Sequence, residues 1–302
     1  MTSQTITAAA SGTYRLGDLT VHRVGFGAMR LPQHGEAFAA DAVPRDRDQA
    51  VAVLRRAVEL GVNHIDTAAF YFSPLRSANE LINRALAPYG DDLVLSTKVG
   101  PGRDAAGGWL PHATPAQLRG QVEENLRQLG RDHLDVVNLR VVGTGSLAER
   151  FGALAELREA GLVRHLGLSN VHPHHLAEAR AIAPVVCVQN MYGIGASPEQ
   201  REFLRRCGEH GIAFVPFYSI AGSGRERGAT TGDDPRVSAV ARSHGVSAAQ
   251  IRLAWTLHQG PHVLAIPGTG DLGHLAQNVA AGALRLSADE LALLDSPGPD
   301  PA

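Results

Sequence analysis

"LDVVNLR", residues 134–140, has no polar face: Leu134, Val136, Val137 and Leu139 suit a strand buried on both sides, as parallel strands beneath helices are. The stretch then ends on Arg140, a permanent charge at the rim of something buried. Seven further short apolar runs punctuate the chain: HRVGFGAM (22–29), HIDTA (64–68), LVLSTK (93–98), RHLGLSN (164–170), VVCVQN (185–190), AFVPF (213–217) and HVLAIPG (262–268).

Helical patterns fill the intervals. Thr114-Pro115 supplies an N-cap and a proline at the first helical position, and Leu118, Val122, Leu126 and Leu129 follow at helical spacing up to Gly130. Leu147, Phe151, Leu154 and Leu157 form a second stripe closed by Gly161. Ser247 with Gln250, and Ser287 with Glu290, make capping boxes, and Asp234-Pro235 opens another helix. Strand and helix in alternation, up to eight strands, leave a closed barrel or a wide open sheet. Eight favours closure, since such a barrel typically takes about 250 residues. The expected fold class is therefore α/β, a (β/α)8 TIM barrel with an N-terminal hairpin or short strand segment. No composition break divides the chain, so we expect one barrel domain over residues 14–302 behind a flexible tail of residues 1–13.

Composition excludes several classes. With 44% hydrophobic and 19% charged residues the chain reads as globular and not disordered. A net charge of -2 without a long basic run argues against nucleic acid. No apolar stretch approaches the roughly 20 residues of a membrane span, and the start MTSQTITAAASGT lacks the basic and apolar regions of a signal peptide. Cys187 and Cys207 are too few for a disulfide framework and are expected to be reduced thiols in a cytoplasmic protein.

In a barrel, chemistry sits at the C-terminal ends of the strands. The second run ends on Asp66, Thr67 and Ala68 with Tyr71 just beyond; the third ends on Lys98 and the fourth on Arg140. The fifth ends Ser169-Asn170, the sixth carries Gln189-Asn190, and the seventh reaches Phe217-Tyr218. Any one of these alone could be a cap or a rim residue. Together, an acid, a lysine and a phenol at adjacent strand ends would converge on one point. A tyrosine titrates near 10 unperturbed; a lysine ammonium beside it stabilises the phenolate, and an aspartate keeps that lysine charged and in place. The product is a tuned general acid, useful where a carbonyl oxygen gains charge as hydride arrives.

HIDTAAFY, STKVG, LDVVNLR, GLSNV, CVQN and IPGTGDLGHLAQN, in this order and spacing, resemble the aldo-keto reductase superfamily over residues of about 15–295. The resemblance implies an (α/β)8 barrel, a nicotinamide cofactor bound without a Rossmann domain, and reversible reduction of a small-molecule carbonyl substrate. It places Asp66, Tyr71 and Lys98 at three of the family's catalytic positions, with Tyr71 as proton donor. Arg140 stands where the family usually has a histidine, and with GLVRHLGLSNV it is similar to a bacterial subgroup that includes pyridoxal reductases.

On the cofactor side the resemblance implies Met29 and Asp66; Ser169, Asn170 and Gln189 on the nicotinamide carboxamide; and Phe217 stacked on its ring. Tyr218, Ser219, Ile220 and Gly222 would follow in the loop over the pyrophosphate, where Arg225 or Arg227 could neutralise phosphate. Gly268, Thr269, His274, Gln277 and Asn278 would meet the adenosine end. Here Gly270 and Asp271 stand where many relatives carry a cation for the 2′-phosphate. NADPH is the expected cofactor, with NADH the alternative. Phe70, Phe72, Trp109 and Tyr192 are expected to wall a flat aromatic substrate, Phe72 narrowing a position commonly glycine. The chain is expected to act as a monomer or small homo-oligomer.

Two other readings stay open: a lyase with Lys98 as Schiff-base nucleophile, and a non-catalytic nicotinamide-binding regulatory subunit. His64 is expected to be a core histidine. HPHH (172–175) has no cysteine or carboxylate cluster beside it, so no metal site is expected, and VVGTGS (141–146) lacks the third glycine of a dinucleotide fingerprint.

Overall fold

The computed structural model describes residues 6–39, 41–220 and 234–296. An antiparallel hairpin, β1 (Thr13–Leu16) and β2 (Leu19–His22), precedes the main sheet. That sheet begins with β3 (Phe26–Gly27) and β4 (His64–Asp66), and a small hairpin of β5 (Phe72–Ser73) and β6 (Arg76–Ser77) stands apart from it. The sheet continues with β7 (Val94–Val99), β8 (Leu134–Arg140), β9 (Val163–Ser169), β10 (Val185–Gln189) and β11 (Ala213–Phe214). Its seven strands lie in chain order, each parallel to the next.

Between them run α1 (Arg47–Glu59), α2 (Ala78–Leu86), α3 (Pro115–Leu129), α4 (Ala148–Glu159), α5 (Pro173–Ile182) and α6 (Pro198–Glu209). α7 (Pro235–His244), α8 (Ala248–His258), α9 (Leu272–Ala280) and α10 (Ala288–Asp295) complete the outer layer. Their starts follow the sequence: capping boxes at Thr114, Ser247 and Ser287, and Asp234 capping α7 ahead of its proline. Among the described residues no helix is long and apolar enough to cross a membrane.

The fold is the expected (β/α)8 barrel, with one correction. The eighth run, 262–268, forms no ladder and is joined to its neighbours by the single bridges Phe214↔Val263 and Val24↔Ala265. Its backbone still hydrogen-bonds both flanks, Leu264 N to Phe214 O (2.9 Å) on one side and Gly25 N to Ala265 O (2.8 Å) on the other, so the barrel closes. The neighbouring strands β3 and β11 have two residues each, and Pro216 and Pro267 have no N–H to donate.

β8 shows how the layers divide. Val137 and Leu139 face outward and share a core with Phe151 and Leu154 of α4. Val136 faces inward with Val94, Cys187, Ala213 and Leu264, above Leu16 and Val21 of the first hairpin. That hairpin stoppers the lower end of the barrel, and each fully buried Val or Leu contributes about 1.5–3 kcal/mol. Because side chains alternate along a strand, Asn138 and Arg140 point inward as Val136 does. The packed chain also begins before residue 14: Ala8–Ser11 form a 3-10 turn, Ala8 is fully buried, and its N–H bonds Leu60 O at 2.8 Å. Residues 8–11 are therefore packed and not part of a flexible tail, because small residues there fit close against the barrel.

Candidate active site

Pairing of β4 with β7 sets Asp66 beside Ser96, one inward position below Lys98. The Lys98 ammonium forms an ion pair with Asp66 Oδ1, both side chains 4% exposed, and also donates to Thr67 O at 3.1 Å. Gln189 Nε2 donates to Asp66 Oδ2 at 2.6 Å, so both carboxylate oxygens are occupied. Tyr71 is buried, with its ring centroid 4.9 Å from Lys98 Nζ. Burial opposes the lysine's charge, but Asp66 and Tyr71 outweigh it and hold the ammonium above its ordinary pKa. A lysine so held is a poor amine nucleophile, which weighs against the Schiff-base reading. Buried ion pairs are weak sources of stability, so this one points to chemistry.

A second buried network supports the first. Thr67 Oγ1 donates to Asn79 Oδ1 (2.7 Å), Asn79 Nδ2 to Asn125 Oδ1 (3.0 Å), and Thr97 Oγ1 to the same Asn125 oxygen (2.6 Å). It ties α2 and α3 to the strand ends that carry Asp66 and Lys98.

Register also aligns Arg140, Ser169 and Gln189 side by side across β8, β9 and β10. Arg140 Nη1 donates to Ser169 Oγ at 3.2 Å, and its Cζ lies 5.4 Å from the Phe217 ring centroid. Arg140 is half-buried, so its guanidinium is shielded on one side and open to the cavity on the other. Gln189 is 2% exposed, and with its Nε2 directed at Asp66 its Oε1 has no partner among the described residues. A buried amide oxygen left so costs free energy that a ligand N–H would recover.

These groups face one cavity of about 620 Å³. Asp66, Tyr71, Lys98, Arg140 and Gln189 form its floor; Met29, Phe217, Tyr218, Ser219, Ile220 and Gly268 form one side, and Phe70 and Trp109 the other. Ser169 is fully buried behind Arg140, and Asn170, at φ 59°, spends its side-chain amide on Val141 O at 2.9 Å. Thr269, His274, Gln277 and Asn278 lie beyond the cavity toward α9, with Asp271 capping that helix through His274 N at 2.8 Å. Gly222, Arg225 and Arg227 lie outside the described residues.

Two wall residues are corrected. Tyr192 is 2% exposed, stacks on Trp255 at 5.7 Å and donates to Gln259 Oε1 at 3.2 Å, so it belongs to the layer between barrel and helices. Phe72 sits behind the wall against Arg103, whose Cζ is 4.5 Å from its ring centroid. The HPHH run serves the start of α5, where His172 N donates to His175 Nδ1 at 3.2 Å.

Three residues were missed by the sequence reading. Phe38 lines the cavity and meets Tyr71 at 5.9 Å, and Arg103 braces the loops around it. Arg45 lies across Gly270, where a Cβ would stand 2.1 Å from its Cζ. It thereby brings a cation next to Asp271, and its buried Nε has no partner among the described residues. These residues lie in aperiodic loops, and only the glycine at 270 hinted that something passes close by.

Comparison with known proteins gives a consistent result. Residues 23–297 match the family model described as Aldo/keto reductase family. Pyridoxine 4-dehydrogenase of Escherichia coli is 44% identical over 293 residues, covering 95% of this chain and 98% of that protein. Methylglyoxal reductase YeaE of the same organism is 31% identical over 94% of each. Among solved structures, an aldo-keto reductase from Klebsiella pneumoniae in complex with NADPH superposes with a TM-score of 0.78 at 30% identity, covering 96% of both chains.

Proposed function

The chain belongs to the aldo/keto reductase family, and on that premise we propose that it reduces an aldehyde or ketone to an alcohol with NADPH, Tyr71 giving the proton. The observation that carries this reading is the buried array in which Asp66 holds Lys98 and Gln189 at the foot of a cavity that Tyr71 also lines. The donor set fits a nicotinamide: the unpaired Gln189 Oε1 offers an acceptor for a carboxamide N–H, and Phe217 offers a ring face. Ser169 and Asn170 would complete the carboxamide contacts, Tyr218, Ser219, Ile220, Gly268 and Thr269 would carry the pyrophosphate and ribose, and Arg45 would meet the 2′-phosphate. When bound, NADPH supplies the hydride taken up by the carbonyl carbon.

The chain's own residues handle the proton. Tyr71 donates its phenolic proton to the carbonyl oxygen as that oxygen gains charge, and the Lys98 ammonium stabilises the phenolate left behind. Asp66 keeps Lys98 charged and in place. Arg140 has no acceptor and does not lose its proton, so it serves as a hydrogen-bond donor to the developing oxyanion. Solvent protons restore Tyr71 afterwards. Phe38, Phe70 and Trp109 suit an aromatic carbonyl, and the kinship with a pyridoxine 4-dehydrogenase makes pyridoxal the first substrate to try.

The test is a fluorescence titration with NADPH and NADH followed by a panel of carbonyl substrates that includes pyridoxal. Micromolar NADPH binding with turnover is expected. Binding without turnover of any carbonyl would favour a regulatory subunit, and a borohydride-trapped adduct on Lys98 would favour the lyase.

A further inference from the structure

Three loops, residues 31–39, 67–77 and 100–113, meet above the reacting groups, and one side chain joins all three. Arg103 is half-buried and does not itself line the cavity. Its Nη1 donates to Phe72 O (2.7 Å) and Phe70 O (3.4 Å), its Nη2 to Phe38 O (2.9 Å) and its Nε to Gly107 O (3.0 Å). The guanidinium is packed among rings, with Cζ 4.5 Å from the Phe72 centroid, 5.4 Å from Phe38 and 5.8 Å from Trp109. A planar fork of five donors can bond several carbonyls while lying on aromatic faces; an ammonium cannot.

What this side chain holds is a wall. Phe38 and Trp109 meet at 5.3 Å, Phe70 and Trp109 at 5.8 Å, and Phe70 and Tyr71 at 5.1 Å. Phe38 stands at φ 71°, a left-handed conformation that a phenylalanine keeps only under constraint, and Arg103 bonds that residue's own carbonyl. Trp109 is 55% exposed, so burial alone does not fix it.

We infer that Arg103 is a positioning residue that sets substrate selectivity: by tying three loops together it fixes an aromatic slot that favours flat aromatic or heteroaromatic carbonyls over small aliphatic ones. The inference rests on the carbonyl-reducing reading for the substrate's reacting group, whereas the slot itself can be tested by binding alone. A flat ring gains offset and edge contacts with Phe38, Phe70 and Trp109, and a small aliphatic aldehyde gains little from them. Asp66, Lys98 and Gln189 make no bond to Arg103, whereas Tyr71 lies between Phe70 and Phe72, whose carbonyls Arg103 holds, so a catalytic effect passed through Tyr71 would fall on every substrate alike.

The experiment compares wild type, Arg103→Ala and Arg103→Lys in turnover of pyridine-4-carbaldehyde and of methylglyoxal. Affinity for pyridine-4-methanol is measured in parallel through Trp109 fluorescence; Trp255, the other tryptophan, is fully buried. For Arg103→Ala the aromatic aldehyde's KM is expected to rise about tenfold and that of methylglyoxal to move less than about threefold, with any fall in kcat shared equally by the two aldehydes. Affinity for the alcohol should fall by a similar factor, and lysine should restore little of it. Equal rises in KM for both aldehydes, full rescue by lysine, or unchanged alcohol affinity would overturn the inference. If wild type binds the alcohol yet reduces neither aldehyde, the catalytic reading fails, while the affinity loss still decides the role of Arg103. Should Arg103→Ala not fold, Arg103→Lys must show the same aromatic-only rise in KM, and its absence would count against the assignment.

Discussion

Two buried polar residues stand on β4, two positions apart and both facing the barrel interior, and they are treated in opposite ways. Asp66, at the upper end, has both oxygens engaged, by Lys98 and by Gln189. His64, at the lower end, is 3% exposed; neither ring nitrogen makes a well-formed hydrogen bond among the described residues, and the His22 backbone beside it only partly offsets its burial. Its ring occupies room left by Gly25, where a Cβ would stand 2.2 Å away. At Asp66 a buried charge is kept and paired; at His64 a titratable group is admitted as a neutral filler above the hairpin stopper. Burial depresses His64 to about 4, whereas Lys98 is held charged by its neighbours against the same burial. The two positions thus differ in whether partners are supplied, not in burial as such.

In the upper layer the largest effect is expected at Arg140. Losing an oxyanion donor costs about 100- to 1,000-fold in rate, so Arg140→Ala should lose that much kcat/KM, with Arg140→Lys recovering part. A pH–rate profile of the three proteins checks this, and an Arg140→Ala enzyme within about threefold of wild type across pH 6–9 would reduce the arginine to a rim charge.

The lower layer predicts a stability effect. His64 binds its proton at about 4 in the folded chain and at about 6.5 in the unfolded chain, so between those limits the unfolded chain holds the extra proton. The stabilisation is complete above pH 6.5, is lost as pH falls toward 4, and amounts to about 3 kcal/mol over that window. Denaturant unfolding at pH 7.5 and 4.5 should therefore show a larger acid loss in wild type than in His64→Gln, by about 2–3 kcal/mol. Equal losses would mean that His64 finds a proton partner after all.

A smaller effect belongs to Arg45. If its guanidinium offsets Asp271 and meets a 2′-phosphate, Arg45→Ala should weaken NADPH binding about tenfold and leave NADH nearly unchanged, as titration of both would show. Equal weakening of the two would place Arg45 in loop structure only.

The strands and helix starts were legible because their signals are local. Val136, Val137 and Leu139 advertise a strand buried on both faces, and Thr114-Pro115 announces α3 in its own two residues. The strand ends were legible too, since alternation makes Arg140 share the inward face of Val136. Loop residues were not. Phe38, Arg45 and Arg103 act through approaches across 31 to 225 positions of chain, as in Arg103 to Phe72 or Arg45 to Gly270, which no periodicity encodes. Tyr192 was misplaced for the same reason: proximity to a strand end does not say which way a ring turns. The eighth run has the composition of a strand, but short neighbours and prolines reduced its pairing to bridges.

The most direct measurement is single-turnover reduction by Tyr71→Phe, with NADPH affinity determined on the same protein. Removing only the phenolic hydroxyl should slow the chemical step by about 100-fold or more while cofactor affinity stays within about twofold, because Tyr71 gives the proton and the cofactor contacts lie on Gln189 and Phe217. A Tyr71→Phe enzyme that reduces its substrate at the wild-type rate would contradict this account and put the proton donor elsewhere in the cavity.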